Sequence, residues 1–301
     1  MTHLVWQTKA ARVARGIRRR VLEHTIAHNG GYLSQACSAA EMLAVLYTRL
    51  MKLGPSVAPS VPPPFPGVPS AHNPHAFTGA GYNGPHAPEW DRFYLSAVHY
   101  ALALYAVLIE TGRMDAEGLR QFNQDGSTVE MIGAEHSPGL EVTGGSLGQT
   151  LSQAGGVALA RRLKGEPGRA WVFMSDGEFQ SGQTWEAVQA LAHYGLGTIT
   201  ALVDVNGQQC DGAMTTVMNI EPLDERLRAF GAEVFRVNGH DLTALTAAAE
   251  TPPTDRPRFI LADTDPAKEM PILDTRRPKL HYVRFKDAAE RAAFAAFLGH
   301  W

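Results

Sequence analysis

The chain has 301 residues, 45% hydrophobic and 19% charged, a globular composition long enough to bury a substantial core as one large domain or two small ones. A formal net charge of −3 gives no electrostatic reason to expect nucleic acid or an anionic membrane as partner, and two cysteines, Cys37 and Cys210, cannot build a disulfide framework. No stretch is apolar enough to span a bilayer and the polar start, Met1 to Lys9, lacks the regions of a signal peptide, so a cytoplasmic protein with free thiols is the default expectation.

In chain order, a helical region over about 8–52 comes first, and its basic cluster Arg12 to Arg20 reads as a solvated face or an interface. Residues 54–89 are rich in Pro and Gly, which excludes a regular helix or a central strand and predicts a long loop. His72, His75 and His86, with Asn73, fall in it at spacings that match no standard metal-ligand pattern, and they read as surface histidines. After Trp90 the pattern alternates. Candidate strands lie near 170–175, 199–205, 233–238 and 258–263, and helical stretches near 97–112, 146–164, 184–194, 223–230 and 241–250. Lys286 to Leu298 is amphipathic helix material. No linker separates two complete domains. The expectation is one α/β domain over 1–301, mainly parallel sheet flanked by helices, with an N-terminal helical extension and a loop insertion at about 54–89.

Two segments carry the chemistry. Ala170 to Met174 is an apolar run closed by Ser175-Asp176-Gly177, and Ile199 to Val205 is another closed by Asn206-Gly207, with helical sequence between them. In such a β-α-β unit both Asp176 and Asn206 emerge beyond the carboxyl ends of parallel strands, where ligands bind in open α/β sheets. A carboxylate, an amide oxygen and a nearby main-chain carbonyl are hard oxygen ligands suited to Mg²⁺ or Ca²⁺, and few protein ligands leave room for phosphate oxygens. Gly177, without a Cβ, lets an anion approach the backbone. Either segment taken alone would be an ordinary turn after a strand.

The pair of segments, Ser175-Asp-Gly-Glu178 with Ser181 to Glu186 and Asp204-Val-Asn-Gly-Gln-Gln-Cys-Asp-Gly212, resembles the thiamine diphosphate motif of transketolases. Asp91-Arg-Phe-Tyr-Leu-Ser-Ala-Val-His99, Pro138 to Gln149, Ser38-Ala-Ala-Glu41 and Gly239-His-Asp241 are similar to further segments of that family, in the same order. The resemblance implies the diphosphate-binding fold, the PP module, with thiamine diphosphate and Mg²⁺ or Ca²⁺ as cofactors. It implies Asp176, Asn206 and the Gln208 carbonyl as metal ligands, Gly177 and His99 on the diphosphate, Gly145 and Leu147 near the aminopyrimidine, and Glu186 in a carboxylate network across a subunit interface. His281 falls near a substrate-facing histidine. Taken without the motif, His99 could be a packed core histidine and Glu186 an exposed helix residue; His240 reads as structural.

The departures matter too. Tyr32 stands where transketolases carry a substrate-contacting histidine, which implies altered substrate choice. Ser175 and Ser181 replace a Gly and a Glu, and Cys210 stands where an aliphatic side chain packs against the cofactor. Glu135 or His136 could take the role of a shortened Gly-His-Pro-Glu region. The family's catalytic Glu lies in a separate pyrimidine-binding domain that this sequence lacks. The expectation is therefore the N-terminal subunit of a split transketolase, joined by a C-terminal subunit in an α2β2 heterotetramer. It would move a two-carbon ketol unit from a ketose, phosphorylated or otherwise anionic, to an aldose; sulfo- and branched ketoses are candidates by analogy. Two alternatives stay open: another thiamine diphosphate enzyme component, of the deoxyxylulose phosphate synthase or 2-oxo acid dehydrogenase kind, and a non-catalytic regulatory subunit.

Overall fold

The computed structural model describes residues 3–68, 70–299 and 301. Helix α1 (His3–His28) buries Ala10, Val13, Ala14, Ile17 and Val21, whose three- and four-residue spacing forms one apolar stripe. It stops at Asn29, whose φ of 53° is a left-handed conformation that asparagine tolerates. Helix α2 (Leu33–Val45) follows and is buried along its length. Arg18 of α1 is 1% exposed and donates to Glu41 of α2 (2.6 Å) and to the Cys37 carbonyl (3.0 Å).

The Pro- and Gly-rich segment is irregular, broken by two short 3₁₀ turns, and it is tied to the body at several points. Ser60 O accepts from Asp115 N (2.7 Å) and Phe65 N donates to Gly126 O (2.8 Å). Proline has no N–H, so here its carbonyls carry the bonding: Pro62 O accepts from Gln121 Nε2 (3.3 Å) and Pro63 O from Thr128 Oγ1 (2.9 Å). His72 is exposed and the side chain of His75 lies outside the described residues.

Beyond it run β1 (Arg92–Leu95), α3 (Ala101–Glu110), α4 (Ala116–Leu119), α5 (Thr150–Leu163), β2 (Ala170–Ser175), α6 (Gly182–His193) and β3 (Ile199–Val205). A two-residue hairpin, β4 (Gln208–Gln209) with β5 (Gly212–Ala213), precedes α7 (Met214–Val217) and α8 (Leu223–Ala229). The chain closes with β6 (Glu233–Asn238), α9 (Leu242–Glu250), β7 (Arg258–Asp263) and α10 (Ala288–Gly299). Five strands form one all-parallel sheet in the order β1-β2-β3-β7-β6.

The sheet is covered on both faces, which is why its central strands read as continuous apolar runs. Trp171, Phe173, Leu202 and Ile260 point into a core shared with α1, α2, α3 and α9. Val172, Met174, Val203 and Leu261 point the other way, toward α5, α6 and α8. The four strands expected from sequence are present, and the fold class is as expected. β1 is an addition: its four residues, Arg-Phe-Tyr-Leu, are too short to give a periodic signal. Among the described residues no helix is long and apolar enough to cross a membrane, and both cysteines are free.

Candidate functional site

The carboxyl ends of β1, β2, β3 and β7 meet at one place, and two buried acids organise it. Asp204, the sixth residue of β3, is 0% exposed and accepts four side-chain hydrogen bonds. They come from Ser38 Oγ of α2 (2.5 Å), Tyr100 OH (2.7 Å), Asn206 Nδ2 (3.1 Å) and Thr264 Oγ1 just beyond β7. Glu178, in the turn after β2, is equally buried and accepts from Ser96 Oγ beyond β1, from Ser175 N (2.9 Å) and from Gly148 N (3.2 Å). With Ser175 it forms a capping box that starts the 3₁₀ turn Asp176–Gln180. Burial pushes both carboxyls up despite these bonds.

Between them sits Asp176, 2% exposed at the end of β2. Its Oδ1 accepts from Gly177 N (2.9 Å) and its Oδ2 from Gly207 N (3.0 Å). Burial first, and then the charge of Asp204, push its carboxyl up to about 8. Asn206 is held in place by donating to Asp204 and to Tyr100 OH (3.1 Å), so its Oδ1 faces the Gln208 N–H (2.9 Å). A cleft of about 90 Å³ opens here, lined by Asp176, Gly177, Asn206, Gln208, Tyr100, Ser175, Gln209, Leu147, His99, His281, Cys210 and Gln35.

The histidine side of the cleft is assembled from distant segments. Gly31 and Val283 exchange backbone hydrogen bonds (3.0 and 2.9 Å), which lays the 280–284 segment beside the start of α2. His281 thereby reaches His99, ring centroids 5.1 Å apart, and its Nδ1 accepts from Gln35 Nε2 (3.0 Å), leaving the proton on Nε2. Burial, reinforced by His281, holds the His99 imidazole down at about 3, and burial lowers His281 as well. Both are neutral hydrogen-bonding groups. Tyr32 packs against the two of them, at 5.9 and 5.5 Å.

Most of the residues singled out in the sequence converge on this cleft: Asp176, Gly177, Asn206, Gln208, Leu147, His99, His281 and Cys210 line it and Tyr32 closes one side. Three do not. Gly145 is not among the lining residues; its φ of +99° and the Ile132 methyl 2.6 Å from where a Cβ would stand explain the glycine locally. Glu186 is exposed on α6, bordering a groove between α5 and α6. His136 is bound to Glu130 (3.1 Å) and packs on Phe65 of the insertion, and Glu135 accepts from Thr143 (2.8 Å), so neither enters the cleft.

His240 is structural. Its Nδ1 donates to Glu41 (2.9 Å) and its Nε2 accepts from Asp265 N (2.8 Å), joining α2 to the turns after β6 and β7. Burial opposes the Glu41 charge, but the His240 bond and the Arg18 guanidinium outweigh it and hold the carboxyl below its usual range. Asp204 and Glu178 are the residues that reasoning on sequence passed over.

The donor set fits a hard divalent cation carrying a diphosphate. Its polar atoms are carboxylate and amide oxygens, and among the described residues Gln208 Oε1 is a buried acceptor with no hydrogen-bond partner. A Cβ on Gly177 would meet nothing closer than 3.9 Å, so the fold itself does not demand this glycine.

Comparison with known proteins bears on the diphosphate. The family model "Transketolase, thiamine diphosphate binding domain" matches residues 66–271. A transketolase family protein of Sinorhizobium fredii, itself uncharacterised, is 38% identical over 90% of this chain and 88% of its own length. The 6-deoxy-6-sulfo-D-fructose transketolase subunit SqwG of a Clostridium species is 33% identical over 82% of both chains. One of the subunits of the apulose-4-phosphate transketolase of Actinobacillus succinogenes is 30% identical over 68% of this chain and 75% of its own. The crystal structure of transketolase from Campylobacter jejuni superposes with a TM-score of 0.70 at 22% identity, covering 99% of this chain but 47% of that one. The chain belongs to the transketolase family and matches that family's thiamine diphosphate-binding domain.

Proposed function

We propose that this chain is the diphosphate-binding subunit of a two-component transketolase, acting in the cytoplasm. The observation that carries the reading is the cleft itself, which brings Asp176, Gly177, Asn206 and Gln208 together with two neutral histidines in one lining. Asp176 and Asn206, by their side chains, and Gln208, by its main-chain carbonyl, would hold a divalent cation, Mg²⁺ or Ca²⁺, and through it the diphosphate; the N–H of Gly177, given to Asp176 here, would turn to the anion once the cation takes up that carboxylate. Thiamine diphosphate, when bound, supplies the electron sink for breaking and making the ketol carbon–carbon bond. His281, proton on Nε2 and held by Gln35, and His99, kept neutral by burial, would orient sugar hydroxyls and carbonyls without adding charge. Tyr32 would limit the space available to the substrate.

At about 90 Å³ the cleft is smaller than the several hundred Å³ typical of an enclosed cofactor site. This supports a site completed by a second chain, which would bring the pyrimidine-binding domain and its glutamate in an α2β2 assembly. Glu186, beside an apolar groove lined by Gly155, Leu159 and Leu191, would then face that partner. The relatives named for sulfofructose and apulose phosphate support a specialised anionic ketose as donor and an aldose as acceptor. The test is to purify this chain from its native lysate with thiamine diphosphate and Mg²⁺, identify what accompanies it, and assay ketol transfer. A stoichiometric partner and transfer activity are expected. A lone homodimer inactive with every ketose would favour a regulatory subunit.

Two substitutions probe the site. Gly177→Ala is expected to leave stability within about 0.5 kcal/mol, since nothing crowds the position, while weakening thiamine diphosphate binding roughly tenfold, about 1.4 kcal/mol. Unchanged affinity by titration would remove Gly177 from the anion's path. Tyr32→His is expected to change the ranking of sugars in a substrate panel with less than about a threefold change in cofactor affinity. The same ranking before and after would deny Tyr32 a role in substrate choice.

A further inference from the structure

Tyr32 borders a second cavity. Its ring helps wall a space of about 360 Å³, together with Leu102, Phe122, Met131 and Tyr282, with Asn123. Tyr32 thus stands between the lining of this cavity and that of the cofactor cleft: its ring contacts His99 and His281, which line the cleft, and Tyr282, at 4.9 Å, which lines the cavity. Tyr282 directly follows His281, and the same Gly31–Val283 bridge fixes both. The Tyr282 hydroxyl lies 2.3 Å from where a Cβ on Gly30 would stand, so the two pack closely.

The polar groups in this cavity are neutral and unclaimed. Asn123 holds a left-handed backbone, φ 54°, and its Oδ1 accepts from Met131 N (2.9 Å), which leaves its amide nitrogen free to donate. Among the described residues no hydrogen bond within the chain takes up the hydroxyl of Tyr32 or of Tyr282. The Arg284 guanidinium stands over the Tyr282 ring at 5.9 Å and is not part of the wall. Aromatic faces with a few neutral donors and acceptors suit the C–H faces and hydroxyls of a carbohydrate.

On the strength of the transketolase reading, we propose that this side cavity is a subsite for the uncharged, hydroxylated carbon chain of the sugar beyond its reacting carbons. Tyr32 is the wall shared with the cofactor cleft, and Tyr282 and Asn123 are the specificity-determining groups. A long aldose reaches them; a two-carbon aldehyde does not.

The test uses the assembled two-chain holoenzyme with hydroxypyruvate as ketol donor, and with glycolaldehyde and D-ribose as short and long acceptors. Tyr282→Phe keeps the ring and removes the hydroxyl. Asn123→Asp keeps the acceptor for Met131 N and removes the donor. Each is expected to raise KM for ribose about three- to tenfold, the loss of one neutral hydrogen bond, with KM and kcat for glycolaldehyde and thiamine diphosphate affinity unchanged. An equal change for both acceptors, or no change for ribose, overturns the subsite while leaving the transketolase reading intact. If the wild-type holoenzyme binds its cofactor but transfers no ketol unit to either acceptor, from hydroxypyruvate or from any ketose of a phosphorylated and sulfonated panel, the reading fails and the subsite with it.

Discussion

Asp176→Ala is expected to abolish retention of thiamine diphosphate in the assembled enzyme and, in the cofactor-free protein, to raise stability above pH 7. Both effects come from one buried carboxylate. The fold shifts its pKa from 3.8 to about 8, so across that window the folded state holds a proton that the unfolded chain has released. This preference contributes fully below 3.8 and is lost as pH rises through about 8, at up to about 1.4 kcal/mol per pH unit. Asp204 and Glu178 are shifted in the same direction by burial and add to the trend. Above pH 7, where the buried neutral His24, His99 and His281 no longer act in the opposite direction, cofactor-free wild type should therefore lose Tm up to pH 8.5, and Asp176→Ala should flatten that loss. A divalent cation would favour the ionised acid, so the Tm gained from Mg²⁺ and thiamine diphosphate should grow with pH. Parallel melting profiles for both proteins, together with retained cofactor, would count against the assignment of Asp176.

Asp204→Ala is expected to act the opposite way on stability, although it also removes a buried acid. The difference lies in what each acid holds. Asp176 accepts from two backbone N–H groups of neighbouring turns, whereas Asp204 accepts from Ser38, Tyr100, Asn206 and Thr264, which belong to four separate parts of the fold. Alanine leaves those donors without their acceptor in the core, at about 1 kcal/mol or more each, so a loss on the order of 4 kcal/mol is expected. Thr264→Val, which removes a single donor, should cost about 1 kcal/mol. Asn206 also loses its mooring, so cofactor affinity falls with stability. Denaturant melts of both variants check this; a loss below about 1 kcal/mol for Asp204→Ala would mean that the four bonds do not act as a unit.

The strands over 170–175, 199–205 and 258–263 were legible because burial on both faces demands unbroken apolar runs. β1 was not: its four residues begin with Arg92, whose charge is met by Glu141, a partner that periodicity cannot supply. Asp91 before it is a fold residue, accepting from Lys52 N, Arg169 N and Trp171 Nε1 at 2.9 Å. In the site, Asp176 and Asn206 could be read because they follow strands and sit beside glycines. Asp204 was missed because its partners are 166 and 60 residues away in Ser38 and Thr264. One signal was present: an acid inside the apolar run Ile199 to Val205 must find hydrogen-bond donors if the strand is buried. Glu178 carried a similar signal as the third residue after Ser175 in a capping box. The position of His281 beside His99 and Tyr32 rests on long-range contacts, the Gly31–Val283 bridge and the bonds of Ser34 to Leu280 O and of Gln35 to His281, which no local pattern reveals.

The central claim is that this chain holds half of a metal-dependent thiamine diphosphate site. The most direct test is a titration of thiamine diphosphate into the chain alone and into the complex with its co-purified partner, each with Mg²⁺ and with chelator. Tight binding only in the complex, and only with the divalent cation, is the predicted result. Binding to the chain alone as tight as to the complex, or binding to the complex that the chelator leaves untouched, would contradict it.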